Sequence, residues 1–198
     1  MKIVLYPHPS LRHKALPLSG IDKKVEEYAR EMLDLMYEGK GLGLAGPQVA
    51  LPYQIFVSNL NSSEERELPP AERKSERVYI NPVITEKKGS VEGEEGCLSF
   101  PGLYAKVRRA RSISFQAYNL KGELLEGTIS DLEARVWQHE VDHLKGELFI
   151  DKVGALAKIS CRGSIGRFER DFRRAQERGE IPEDVELERV LVALEAQA

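Results

Sequence analysis

The sequence has no long apolar run. No window approaches the roughly 18 consecutive apolar residues that a membrane-spanning helix needs, so no membrane partner is expected. The amino-terminal stretch MKIVLYPHPSLRHKALPL carries Pro7, Pro9 and Pro17 where a signal peptide would have an unbroken apolar segment. A cytoplasmic protein follows as the default expectation. Cysteine is scarce, at two residues, Cys97 and Cys161. Without a secretion signal a disulfide is the weaker reading, which leaves a thiol available as metal ligand or nucleophile. An excess of one charge is missing as well. The formal net charge is −3 and the signs are interspersed, so no basic stripe marks a direct nucleic-acid site.

What is present suits a globular chain. Its 198 residues are enough for one real core, with 41% hydrophobic and 31% charged residues. In IDKKVEEYAREMLDLMYE, residues 21–38, the residues Val25, Tyr28, Met32, Leu35 and Met36 recur at helical spacing, and Gly39 is placed to stop the helix. GKGLGLAGPQVA then reads as a glycine-rich turn and LPYQIFVSNL as a strand. Residues 61–77 are polar and charged and read as an exposed, mobile loop. Strand-like runs follow at RVYINPVI, ARSISFQAYN and ELLEGTIS, the last two joined by a hairpin connection at Asn119–Gly122. A helix over 131–145 is expected from the capping-box pattern Ser130-Asp131-Leu132-Glu133 and from Gly146 as a left-handed stop. From Phe168 the tail reads as a charged helix broken near Gly179 and Pro182, then a second helix. Strands without βαβ alternation put the chain in the α+β class with mainly antiparallel sheet.

Histidine is rare, at four residues, yet two of them stand four apart in QHEVDHLKG, residues 138–146. One helical turn separates His139 from His143, so both imidazoles project from one face and can close on one ion. Glu140 sits off that line, near enough to handle the proton of an attacking water, which is the division of labour in H-E-x-x-H. Leu132, Val136 and Leu144 set this face against the core rather than in solvent. A third ligand has to come from elsewhere. Cys97, between turn formers in GEEGCLSFPG, would complete a Cys/His/His set with one position open, the pattern of a catalytic site. Cys161 reads as incidental. His8 and His13 read as surface residues, with either a fallback ligand. Gly41 and Gly43 allow close backbone approach by an extended peptide. A phosphate loop is disfavoured because no Lys-Ser/Thr follows.

Three segments together, GLGLAGPQ at 41–48, EGCLS at 95–99 and QHEVDH at 138–143, resemble the peptide deformylase family in content and order. The similarity covers roughly residues 1–150, a catalytic domain, with 151–198 as a helical tail. The resemblance implies antiparallel sheets packed around a central HExxH helix, with an N-terminal helix before it. It also implies removal of the formyl group from the initiator formylmethionine of new proteins, with release of formate. Carried onto this chain, Cys97, His139 and His143 would be the metal ligands and Glu140 the general acid/base. Gln48 and the Leu98 N–H would face the oxyanion. Leu42, Gly43, Leu132 and Val136 would contact substrate, with Arg135 at the rim and its role open. One divalent ion is implied, iron(II) (Fe2+) as the working ion with zinc or nickel able to replace it. The implied partners are nascent chains bearing formylmethionyl ends, and ribosome association is raised by the same likeness. One departure is clear: the family's usual G-x-G-x-A-A has Gly46 in its last position here. The rival reading is a zincin-type metallopeptidase, which would take a further His or Glu downstream. No histidine follows His143, and Glu147 lies beyond the helix stop.

Overall fold

The computed structural model describes residues 1–196; the last two residues of the expected tail lie outside the described residues. Helix α1 runs Lys23–Glu38, started by Asp22, whose carboxylate accepts from the Val25 N–H at 3.0 Å. Strands β1 (Gly43–Ala45) and β2 (Ile55–Ser58) follow, then a short helix α2 (Ser62–Glu65) and strand β3 (Arg77–Lys88). Next come β4 (Val91–Gly96), β5 (Tyr104–Arg109), β6 (Ser112–Tyr118) and β7 (Leu124–Ser130). Helices α3 (Asp131–Leu144), α4 (Ala155–Glu177) and α5 (Asp184–Glu195) complete the described chain. One antiparallel sheet has the order β1-β2-β3-β6-β7, and β4-β5 form a second, two-stranded one. The class is α+β, as expected.

Side-chain alternation explains why the HExxH helix is central. On β2, Ile55 and Val57 face α1 with Met32 and Met36, while Phe56 points the other way toward Trp137 and Val141 of α3. With a helix on each face, every residue of β2 is buried, which accounts for its unbroken apolar run. Trp137 packs against Phe56, Tyr79 and Phe115 at centroid distances of 4.4 to 5.0 Å, fixing α3 on the sheet. A third cluster, with Phe100, Val107, Leu148 and Phe149, ties the small sheet to the start of α4.

Several local expectations change. The small sheet was not legible. On its exposed face Glu92 stands opposite Arg108 and Glu94 opposite Lys106, while the inward positions of β4 are Val91, Gly93 and Glu95, which make no apolar stripe. Residues 61–77 are tied down rather than free. Glu65 accepts from Ser75 Oγ at 2.7 Å and Asn59 Nδ2 at 2.9 Å, and the Arg73 guanidinium lies 4.4 Å over the Tyr37 ring. At the start of α3 no capping box forms. Ser130 Oγ donates to Asp131 at 2.9 Å, and Asp131 takes a positive φ of 54°. Leu132 is 51% exposed; the inward face of α3 is Ala134, Trp137, Val141 and Leu144. Helix α4 begins at Ala155, well before Phe168. His8 is buried rather than on the surface, and His13 pairs with Glu195 at 2.6 Å. Gly39 caps the end of α1 as expected, and the left-handed residue that follows is Lys40, with φ of 57°. The expected stop at Gly146 holds, with φ of +73°. No helix among the described residues is long and apolar enough to cross a membrane.

Candidate active site

Three separate elements meet in front of α3. The helix supplies His139, Glu140 and His143, all buried. Cys97 follows β4 directly, at the head of a turn closed by the Phe100 N–H on the Cys97 carbonyl at 2.9 Å. Gln48 sits in a single 3-10 turn, Gly46–Val49, wedged behind β1. The donor atoms of Cys97, His139 and His143 lie within 4.8 Å of one another, a grouping that could hold a metal ion. Cys97 Sγ is 3.3 Å from His143 Nε2 and 3.3 Å from Gln48 Nε2, which donates to it. His8, His13, Cys161 and Glu147 take no part. Cys161 is in the third core cluster, and Glu147 pairs with Lys152 at 2.5 Å.

A charge network missed by the sequence reading stands behind these donors. Glu95, buried, faces His139 Nδ1 at 3.1 Å, leaving the other ring nitrogen for the cluster. The same carboxylate accepts from Arg109 Nε and Nη2, both at 2.9 Å, and from Arg135 Nη1 at 2.6 Å. Arg109 also donates to Asp142, one residue before His143. Arg135 is spent here too, donating to the carbonyls of Val107 and Val91 at 3.0 Å. One sequence signal could have exposed the network. In β5 the inward positions are Ala105, Val107 and Arg109, so a guanidinium sits on the apolar phase of an alternating strand and demands a buried partner.

Burial sets the electrostatics. It raises Glu140 to about 7, with the neighbouring Glu95 charge adding to it. Burial would raise Glu95 too, but hydrogen bonds from Arg109 and His139 outweigh it and hold that carboxyl well below its ordinary range. Burial opposes charge on His139, yet hydrogen bonds to Cys97 and Glu95 overcome it and lift this imidazole well above its usual value. His143 is pushed well below its usual value by burial and by the nearby His139. Glu140 Oε2 and His143 Nδ1 are buried without a hydrogen-bond partner among the described residues.

The donors open onto a cleft of about 610 Å³. Leu42, Gly43, Gln48, Cys97, Leu98, Leu132, Val136, His139 and Glu140 all line it; of the ligand, proton-transfer and substrate residues expected from the sequence, His143 alone is not among the lining residues. Two glycines are required by close approach. A Cβ on Gly43 would fall 2.5 Å from Glu140 Oε1, and one on Gly46 would meet the Tyr53 carbonyl at 2.8 Å. The second contact explains the sequence departure: an alanine cannot fit at 46 with this backbone.

The model of the polypeptide deformylase family matches residues 1–158. The peptide deformylase of Rhodopirellula baltica is 38% identical over 190 residues, covering 94% of this chain and 90% of the relative. That of Buchnera aphidicola is 43% identical over 151 residues, or 76% of this chain and 82% of its own. Among solved structures, the Plasmodium falciparum peptide deformylase superposes with a TM-score of 0.82 at 36% identity, covering 87% of this chain and 98% of that one. A plant peptide deformylase gives 0.82 at 37%, covering 92% and 95%. The motifs, the antiparallel architecture and these likenesses agree: the chain belongs to the polypeptide deformylase family and is a hydrolase of that type.

Proposed function

We propose that removal of the N-formyl group from nascent chains runs in this protein on one divalent metal ion held by Cys97, His139 and His143, within a catalytic unit spanning residues 1–150. The observation that carries the reading is the convergence of one sulfur and two imidazoles from distant segments beside a buried carboxylate and an open cleft. The donor set fits such an ion. Soft thiolate with two imidazoles suits iron(II), zinc, nickel or cobalt, and His143 presents Nε2 to Cys97. Iron(II) is the ion proposed to work in the cell, with zinc or nickel as replacements. Bound there, the ion supplies Lewis acidity and an acidified water.

The chain's own groups do the rest. Glu140, poised near neutrality by burial, accepts a proton from the attacking water and later delivers it to the departing amine. Gln48 Nε2 and the Leu98 N–H face the formyl oxygen as it gains charge, and one such donor is worth about 3–4 kcal/mol. Gly43 and Leu42 border the extended peptide, while Leu132 and Val136 wall an apolar slot for the methionine side chain. Arg135 is not a substrate contact in this reading, because Glu95 and two carbonyls already take its donors. Ribosome association belongs to the same proposal, with the C-terminal tail as the segment that would make the contact. The compartment it implies is the cytoplasm.

A formate-release assay on a formyl-Met peptide tests the reading, with hydrolysis of the unformylated peptide as comparison. Formate release with no cleavage of the second peptide is expected. Glu140→Gln should keep the metal and lose turnover by about 10²- to 10⁴-fold. Peptide-bond cleavage of the unformylated substrate would instead favour a zincin-type peptidase.

A further inference from the structure

The turn that carries Gln48 is one 3-10 turn of four residues. At its two ends the Ala45 N–H holds Gln48 Oε1 at 2.8 Å and the Ala50 N–H reaches the Pro47 carbonyl at 3.3 Å. Further restraints come from outside. The Val4 N–H donates to the Gln48 carbonyl at 2.8 Å, and Ser10 Oγ donates to the Pro47 carbonyl at 2.8 Å. Ser10 is itself held by His8. His8 Nδ1 and Ser10 Oγ lie 2.8 Å apart, and because the hydroxyl proton goes to the Pro47 carbonyl, Nδ1–H is the donor to Oγ. Both residues are buried, at 8% and 1% exposure. Burial, with Lys2 nearby, lowers the His8 pKa to about 4, so the ring is a neutral partner at working pH. Against it stands the edge of Phe172 from α4, with ring centroids 6.2 Å apart. Phe172 is buried and lies beyond residue 158, where the family match ends.

We infer that His8 and Ser10 are positioning residues for Gln48, braced by Phe172, so that the C-terminal helical tail helps set the geometry of the reaction. The inference rests on the reading of Gln48 as an oxyanion donor. The Pro47 carbonyl belongs to the peptide plane that joins Pro47 to Gln48. Fixing that oxygen, with the Gln48 carbonyl held by the Val4 N–H, fixes the peptide planes on both sides of Gln48 and so the direction in which its side chain leaves the backbone. The far end of that side chain is the Nε2 that reaches Cys97 Sγ at 3.3 Å. A remote change that misplaces such a donor by about 1 Å costs up to roughly 10²-fold in rate. Loosening one of several restraints should cost less.

The test is a double-mutant cycle on the full-length, metal-loaded enzyme, read as kcat and KM with a formyl-Met peptide well below Tm. Ser10→Ala is expected to lower kcat about tenfold, less than the roughly 10²- to 10³-fold that loss of a whole oxyanion donor costs, while KM and metal content hold. Ser10→Thr, which keeps the hydroxyl, restores kcat. In a Gln48→Ala background, Ser10→Ala has no further effect, because there is no donor left to aim. Phe172→Leu keeps apolar bulk and the hydrogen bonds, and gives a smaller loss, again in kcat and not in KM. A native kcat for Ser10→Ala, or an equal loss in both backgrounds, overturns the inference. If Gln48→Ala itself keeps native kcat, the oxyanion reading fails and the inference falls with it.

Discussion

Replacing Glu95 by glutamine probes the buried charges that orient the candidate ligands. Four hydrogen bonds of 2.6 to 3.1 Å join its carboxylate to Arg109, Arg135 and His139. The side chains of Glu95 and Arg109 are 5% and 4% exposed, so neither charge has water to fall back on. Glutamine keeps the shape but removes the charge and turns an NH2 group toward guanidinium donors. Arg109 keeps Asp142, whereas Arg135 is left with carbonyls alone. Removing one partner of a buried pair costs about 3–5 kcal/mol. The amide oxygen still accepts one bond, which puts the expected loss near the lower end, about 3 kcal/mol. Denaturant unfolding of the metal-free protein at neutral pH measures it. Metal affinity should fall by about 10- to 100-fold as well, since His139 loses the group that fixes its ring. Glu180→Gln, which breaks an exposed 2.6 Å pair with Arg178, is the control and should leave the midpoint in place. A Glu95→Gln loss below about 1 kcal/mol, the size of an ordinary surface pair, would refute the argument.

Three further outcomes follow from close contacts and burial. Gly43→Ala puts a Cβ 2.5 Å from Glu140 Oε1 and should lower kcat by about 10- to 100-fold in a folded protein, read by steady-state kinetics beside circular dichroism. Gly146→Ala meets a φ of +73° and the Arg12 carbonyl at 2.4 Å, so it should cost more than about 1 kcal/mol in a thermal melt. Acid should weaken the fold through His8, whose charging burial and Lys2 disfavour and Asp184 favours. Its folded-state pKa of about 4 lies below the ordinary 6.5, so below pH 6.5 the unfolded chain takes up a proton that the folded one refuses. Stability therefore falls as pH drops from 6.5 to about 4, by at most about 3 kcal/mol, and His8→Asn should flatten that part of the unfolding profile.

How much was legible depended on the range of the interaction behind each feature. Helix α1, the hairpin at Asn119–Gly122 and the pairing of His139 with His143 are local patterns, and each appears where its periodicity or turn residues put it. The donor cluster was legible because a thiol among turn formers and an HExxH pair have few other uses. Strands β4 and β5 were not, since the inward positions of VEGEEG are Val91, Gly93 and Glu95 and those of YAKVRR end in Arg109, so the apolar alternation is broken. The early start of α4 was masked by Gly163 and Gly166, which weaken a helical pattern that tertiary packing of Cys161 and Phe172 enforces. Glu95 was quoted within a motif and given no task, because its partners lie fourteen to forty-four residues away. His8 was misjudged for a similar reason. Phe172, whose ring packs against it, comes from the far end of the chain.

The most direct measurement of the central claim is metal content against activity. Protein prepared without oxygen should carry one equivalent of divalent metal, with formate release proportional to occupancy and highest with iron(II). Cys97→Ala should lose both together, while Glu140→Gln should keep the ion and lose only turnover. Full formate release from protein stripped of metal, or unchanged metal binding in Cys97→Ala, would contradict the account.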